Sequence, residues 1–247
     1  MKKISGGVCA AQGFTASGIH VGVKHGSDPH KNDLALIFSE TECAAAATFT
    51  NNRVKAAPVY TTMSHLENGV LHGVVVNSGN ANACAPNGEA HAEAMCAAVA
   101  AVTGRAAEDF AVASTGVIGV EMNIKSVQQG ASALASALSR NGSDAAAEAI
   151  MTTDTVKKEI AVELTIDGKT VRLGGICKGA GMICPNMGTM LCFLTSDCAI
   201  TADMLSSALH DVVPRTFNRV TVDGDTSTND ACMVLCNGLA GNTLIDW

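Results

Sequence analysis

Lys158-Glu-Ile-Ala-Val-Glu-Leu-Thr165 and Thr170-Val-Arg-Leu-Gly-Gly-Ile176 stand on either side of Asp167-Gly168. Apolar and polar residues mix in both runs as in half-buried strands, and Asp-Gly supplies the left-handed backbone of a tight turn, so the stretch predicts a β-hairpin. Its second strand delivers Lys178 and the turn Gly179-Ala-Gly181 just ahead of Cys184-Pro-Asn-Met-Gly-Thr189 and the apolar run Met190-Leu-Cys-Phe-Leu194.

Outward from the hairpin, strand-like runs alternate with Ala-rich helical runs, which predicts an α/β fold of layered sheets covered by Ala-rich helices. Strands are expected over Leu34 to Phe38, His72 to Val76, Phe110 to Ala113, Arg219 to Val222 and Ala231 to Cys236. Helices are expected over Gly88 to Val102, closed by Gly104, and over Asn123 to Leu138, with Asn123 as N-cap and Gly142 as the stop. Shorter helices should cover Asp144 to Met151 and Thr201 to Val213, the latter capped by Thr201. No internal repeat or linker-like composition shift divides the chain.

The 247 residues are 47% hydrophobic, enough for a substantial core. A net charge of −7, with no Lys/Arg cluster longer than two, argues against nucleic-acid or anionic-membrane partners and for small metabolites. Aromatic content of 3% removes the stacking platforms of single-strand binders. No run reaches the ~18 apolar residues of a membrane span, and the start Met-Lys-Lys-Ile-Ser-Gly-Gly lacks a secretory apolar core, so a cytoplasmic protein is expected. The ten cysteines sit mostly in apolar segments, as at Cys96, Cys192, Cys232 and Cys236, and read as small buried hydrophobes. Without a Cys-x-x-Cys pair or His at ligand spacing, no metal site is expected.

The chemistry centres on Gly188-Thr189. A threonine hydroxyl can attack the carbonyl before it only where nothing crowds that carbon, and Gly188 offers no side chain. Once that bond breaks, the new α-amine of Thr189 titrates near neutrality and can serve as base for its own hydroxyl. The plain alternative is a turn entering the buried strand that follows. Acyl transfer also needs an oxyanion site, best sought at Ser114-Thr-Gly-Val-Ile-Gly119, where a turn after a strand could aim an N–H and a hydroxyl at one point. The bland reading there is an ordinary turn. Lys178, beside an apolar stretch, suits a substrate carboxylate, or is a surface lysine. Asn77-Ser-Gly-Asn-Ala-Asn82 reads as structural support near the site.

Three motifs fail on inspection. Gly168-Lys169-Thr170 lacks the leading glycine of a phosphate loop, because Glu163 stands there. Asp223-Gly-Asp-Thr-Ser-Thr-Asn-Asp230 is no calcium loop, with Ser227 and Thr228 at key positions and Val234 in place of the bidentate Glu. The same segment mimics a phosphatase aspartyl-nucleophile loop, a rival enzyme reading, but with Ser227 where Thr is usual.

Taken in order, Asn77–Cys84, Ser114–Gly119, Met151-Thr-Thr-Asp-Thr155, Lys178-Gly-Ala-Gly-Met-Ile183, Pro185–Leu191 and Asp223–Asp230 closely resemble the ArgJ family, the ornithine acetyltransferases (glutamate N-acetyltransferases) of arginine biosynthesis. The resemblance runs from about Gly6 to about Asn242. It implies an ArgJ/DmpA-like, N-terminal-nucleophile-type architecture and acetyl transfer from N2-acetyl-L-ornithine to L-glutamate through an acetyl-Thr189 intermediate, after autoproteolysis at Gly188–Thr189. Thr115 and Gly116 would form the oxyanion hole. Thr155, Lys178 and Thr189 would bind substrate, with the choice among Thr152, Thr153 and Thr155 left open. No cofactor is implied, although acetyl-CoA as a co-substrate stays open.

The family pattern divides the chain into an α region, residues 1–188, and a β region beginning at 189, assembled as two α and two β chains. Family members continue for roughly another domain, so the chain is expected to be an N-terminal portion with a truncated β region. Gly188 departs from the Ala most often found before the nucleophile. Two alternatives accompany this reading: an amidohydrolase or aminopeptidase that delivers the acyl group to water, and an inactive remnant.

Overall fold

The computed structural model describes residues 1–24, 26–183 and 190–246; the expected cleavage bond Gly188–Thr189 lies outside the described residues. Strands β1 (Lys2–Ile4), β2 (Phe14–Ile19), β3 (Leu34–Phe49), β4 (Val70–Asn77), β5 (Phe110–Ser114), β6 (Lys158–Ile166), β7 (Lys169–Lys178), β8 (Leu191–Ser196) and β9 (Ala231–Cys236) join in the order β1-β6-β7-β8-β9-β3-β4-β5, with β2 also on β3. Helices are α1 (Ala57–His65), α2 (Gly88–Thr103), α3 (Ile124–Ser136), α4 (Ser143–Ala149) and α5 (Ala202–Val212). The opening hairpin forms as read, with Thr165 opposite Thr170 and Asp167 and Gly168 at positive φ.

Side-chain alternation sorts the strands into layers. In β3, Ala35 and Ile37 face a central core, while Leu34, Leu36 and Phe38 face α2 and α3. Val74 and Val76 alternate with Val75 in β4, as Ala111 and Ala113 do with Phe110 and Val112 in β5. On the other leaf, Leu191, Phe193, Ala231, Met233 and Leu235 enter the same central core, whereas Cys192, Cys232, Val234 and Cys236 pack against Leu205 and Leu209 of α5. The order is therefore helix, sheet, core, sheet, helix. Strands buried on both faces explain the near-continuous apolar runs. Helix α4 adds Ala146, Ala147 and Ala149 to the central core, and Ile150 just past its end joins them. Cys96, Cys192, Cys232 and Cys236 are buried and free, with burial raising the Cys96 and Cys236 thiols.

Helix boundaries depart from expectation where tertiary bonds intervene. Helix α3 stops at Ser136, short of the expected end at Leu138, because Ser139 exchanges two backbone hydrogen bonds with Ala16 of β2 at 3.0 Å each. Gly142 serves close approach: a Cβ there would lie 1.7 Å from the Ala16 carbonyl oxygen. The Asn123 side chain forms no cap bond, whereas the Thr201 hydroxyl accepts from the Met204 N–H at 3.4 Å. The strand expected over Arg219 to Val222 is absent. Phe217–Arg219 form a 3-10 turn, Val220 and Val222 are exposed, and the Val222 N–H donates to the Ile183 carbonyl at 2.9 Å. No helix is long and apolar enough to cross a membrane among the described residues.

Phe193 is 1% exposed in the central core. Phe193→Ala should lower unfolding stability by about 3–5 kcal/mol, measured as a shift of the urea midpoint; a shift under a third of that would show that this core is not continuous.

Candidate functional site

Strands β4 and β5 are parallel, with Asn77 level with Ser114, so the loops that follow them leave the sheet side by side. Strand β7 ends nearby at Lys178, opposite Leu191, and Leu191 is in turn level with Ala231 of β9. A cavity of about 540 Å³ opens between these termini. Its walls are residues 78, 79 and 81, 115–118, 152–153 and 227–229, joined by Lys24, Lys31, Lys178, Gly181 and Met182.

One wall is built by asparagines. The Asn77 amide donates to the Ser114 hydroxyl at 2.7 Å, and its carbonyl oxygen accepts the N–H groups of Gly79 and Asn80 at 3.2 and 3.0 Å. The Asn80 amide donates to the Val120 carbonyl at 2.9 Å, and the Ala81 N–H to the Val117 carbonyl at 2.9 Å. The loop after β4 thus holds the loop after β5. The Thr115 N–H is spent on the Asn77 carbonyl at 2.9 Å, while no hydrogen bond engages the Thr115 hydroxyl among the described residues. Gly116 has φ 130°, and a Cβ would lie 2.6 Å from the Gly79 carbonyl carbon and 2.8 Å from the Asn80 nitrogen. Only glycine fits both that backbone and that contact. The Ser78 hydroxyl is buried on the cavity with no partner among the described residues.

Lys178 is 2% exposed, and its ammonium donates to the Thr152 hydroxyl at 3.3 Å. Desolvation holds its pKa below the usual lysine value, opposed by the charges of Asp154 and Asp230. Asp154 fixes the start of the turn after β7: its Oδ1 accepts the Gly179 N–H at 2.8 Å and the Lys158 ammonium.

The fourth wall comes from the loop between α5 and β9. Asp223 accepts the N–H groups of Met182 and Ile183 at 2.6 and 2.9 Å, so this carboxylate is a backbone clamp, not a poised phosphatase nucleophile. Hydrogen bonding from Met182 leads its causes for a lowered pKa. Asn229, buried, donates to the Ala81 and Ser114 carbonyls at 2.6 and 2.9 Å and ties this loop to the asparagine wall. Asp230 is 1% exposed and accepts the Met190 N–H at 2.7 Å through Oδ1, while Oδ2 has no hydrogen-bond partner among the described residues. Desolvation raises its carboxyl from 3.8 to about 7, against smaller lowering effects of the Met190 N–H, the nearby Ser227 side chain and the Lys178 charge.

Thr115, Gly116 and Lys178 therefore share one cavity. Thr155 does not: it is exposed and off the lining, and Thr152 and Thr153 take that place. Gly188 and Thr189 lie outside the described residues, between Ile183 and Met190, which the loop over 223–230 fixes on both sides. Sequence reasoning missed Lys31, Asn229 and Asp230. Asn229 and Asp230 lie inside the segment Asp223–Asp230 but were given no role there, and no local signal marks Lys31. Among the described residues no group of three or more His, Cys, Asp or Glu could hold a metal ion.

Because the folded pKa of Asp230 exceeds its unfolded value, its contribution favours folding most below pH 4 and is lost as pH rises toward 7. Asp230→Asn keeps an oxygen for the Met190 N–H and cannot ionise. Its stability relative to wild type should therefore rise between about pH 4 and pH 7 and then level off, read by urea unfolding across that range; a pH-independent difference would refute the shift. Gly116→Ala should cost at least about 2 kcal/mol, from positive φ together with backbone overlap, measured the same way.

Comparison with known proteins places the chain in a family. The ArgJ family pattern matches residues 15–246. The arginine biosynthesis bifunctional protein ArgJ of Symbiobacterium thermophilum is 50% identical over 99% of the chain and 61% of its own length. A glutamate N-acetyltransferase of Methanocaldococcus jannaschii is 45% identical over 98% of the chain and 59% of its own. The chain thus spans about 60% of the length of these curated relatives. The ornithine acetyltransferase of Mycobacterium tuberculosis, solved with ornithine, superposes with a TM-score of 0.66 at 39% identity, over 74% of this chain and 95% of that one. An aminopeptidase of Ochrobactrum anthropi, described as a variant of the Ntn hydrolase fold, superposes at 0.58 with 11% identity, over 96% of this chain and 75% of that one, a likeness of fold alone. Family pattern, identity and shared architecture agree, and the chain belongs to the ArgJ family.

Proposed function

We propose that the protein transfers an acetyl group from N2-acetyl-L-ornithine to L-glutamate, as a glutamate N-acetyltransferase of arginine biosynthesis. The observation that carries this is the single cavity joining Thr115, Gly116, Thr152 and Lys178 beside the clamped ends of the segment holding Gly188–Thr189. The names of the relatives support the same chemistry.

Maturation begins when the Thr189 hydroxyl attacks the Gly188 carbonyl. The C–N bond gives way to an ester, the hydroxyl proton passes to the Thr189 nitrogen, and water then hydrolyses the ester to leave a Gly188 carboxylate and a free Thr189 amine. Residues 1–188 become the α region and residues from 189 the β region, assembled as two of each. In turnover the Thr189 hydroxyl attacks the acetyl carbonyl while the Thr115 hydroxyl and Gly116 backbone stabilise the oxyanion. Ornithine departs with a proton on its amine, and the glutamate amine then takes the acetyl group and returns the proton to Thr189. Buried Lys178, with the Thr152 hydroxyl beside it, holds a substrate carboxylate. Donor and product are both amides, so the exchange needs no cofactor; acetyl-CoA as a second acetyl source is a separate question for the same assay. Small-molecule substrates and a cytoplasmic location go with this reading.

The denatured intact mass of wild type should show two fragments divided at Gly188–Thr189, and that of Thr189→Ala one intact chain; an intact wild type would overturn the maturation step. Acetylated product should appear only with glutamate present. Thr115→Ala should lower kcat about 10²–10³-fold with little change in fragment pattern; acetate release without an acceptor would instead identify a hydrolase.

A further inference from the structure

The cavity is cationic to an unusual degree. Lys24, Lys31 and Lys178 line it, and among the described residues no Asp or Glu does. Two of these ammoniums converge on one residue: Lys31 donates to the Thr152 carbonyl at 3.0 Å, and Lys178 to the Thr152 hydroxyl at 3.3 Å. The carboxylates nearest Lys178 lie off the lining: Asp154 holds the Gly179 N–H and Lys158, and Asp230 the Met190 N–H, each through Oδ1, and their charges offset part of the cost of burying Lys178. Lys31 forms no ion pair with any described residue, and its one side-chain partner is a neutral carbonyl.

Its position is built. Buried Asp33 accepts the N–H groups of Val21 and Val23 at 2.7 and 2.8 Å, and its own N–H donates to the Ile19 carbonyl at 3.0 Å. The His20 ring bonds the Lys31 carbonyl at 2.7 Å. These contacts close the loop carrying Lys31 and direct its ammonium to the cavity wall. A second cation that shares Thr152 and the cavity with Lys178 suits a ligand with two anionic groups.

This inference rests on the acetyl-transfer reading. Donor and acceptor would pass through one cavity in turn, sharing an α-carboxylate but carrying side chains of opposite charge, an ammonium on acetylornithine and a carboxylate on glutamate. We propose that Lys31 is the specificity-determining cation for the side-chain carboxylate of the acceptor, while Lys178 serves the α-carboxylate common to both. A cation in that place favours glutamate and opposes the donor side chain, so its removal acts on the two substrates in opposite senses.

Lys31→Gln keeps a donor for the Thr152 carbonyl and removes the charge; Lys31→Arg keeps the charge. In the ping-pong assay, Lys31→Gln should raise the KM for glutamate about tenfold or more, without raising the KM for acetylornithine. Preference for glutamate over glutamine should fall by the same factor, and Lys31→Arg should retain it. An equal rise in both KM values would mark Lys31 as a latch for Thr152 and overturn the proposal, as would no change in either. A wild type that transfers no acetyl group overturns the acetyl-transfer reading and this inference with it, whereas an active wild type with an unresponsive Lys31→Gln overturns this inference alone.

Discussion

Strand β3 is hydrogen-bonded along its length to three neighbours, and the layered architecture depends on that sharing. Residues 34–39 pair with β2 and residues 44–49 with β9, while β4 follows the opposite edge from Leu34 to Ala44 across an irregularity between Phe38 and Cys43. A bulge bends a strand and increases its local twist. Here it lets one strand belong to both leaves of the sandwich, and each leaf can then cover the central core. The loops that make the cavity leave from both leaves, 78–81 and 115–118 from one, 179–182 and 227–229 from the other. The distance between the asparagine wall and Lys178 is therefore fixed by sheet geometry more than by loop conformation, as preorganisation of any binding site requires.

Electrostatics in the cavity follow from burial more than from net charge. The chain is acidic overall, yet the lining is lysine-rich and its neighbouring carboxylates are turned toward backbone N–H groups. Burial disfavours charge on both Lys178 and Asp230, lowering one pKa and raising the other, and each is the other's opposing charge. An anionic ligand that displaces water here meets ammoniums whose hydration is already incomplete, so its attraction is less screened than at an open surface. The glycine at 116 and the amide of Asn229 belong to the same design, since they let backbone segments approach closely enough to exclude water.

Local patterns were legible wherever a segment's own residues decide its structure. The hairpin over β6 and β7, helix α2 with its Gly104 stop, and the apolar run of β9 all read correctly, because turn chemistry and burial agree there. The second half of β3, Glu40–Phe49, was missed because its Ala-rich stretch carries no strand signal and is held by pairing with β9. Helix α1 lacked a side-chain cap, and β2, with Ser17 and Gly18 inside it, lacked clean alternation. Val220-Thr-Val222 misled in the other direction, since β propensity without burial or a ladder partner makes no strand. Thr115 and Gly116, which follow β5, and Lys178, which ends β7, were named from recognisable motifs and line the one cavity. Placing Thr152 ahead of Thr155 required knowing that it meets Lys178, 26 positions on, and placing Lys31 required knowing that it meets Thr152, 121 positions away.

The position of β8 has a consequence for what chain scission could do. Thr189 precedes β8 in the sequence, and β8 lies between β7, which belongs to the chain before that point, and β9, which belongs to the chain after it. Six register pairs join β7 to β8, and β9 is bound in turn to β3 of the earlier portion. Two polypeptides produced by a break there would share one sheet and one central core, with the adjacent strands β8 and β9 of one inserted between β7 and β3 of the other. They would migrate together under native conditions, and neither could be prepared alone by simple dilution, since parting them means opening two ladders and exposing Leu191, Phe193 and Met233 to water.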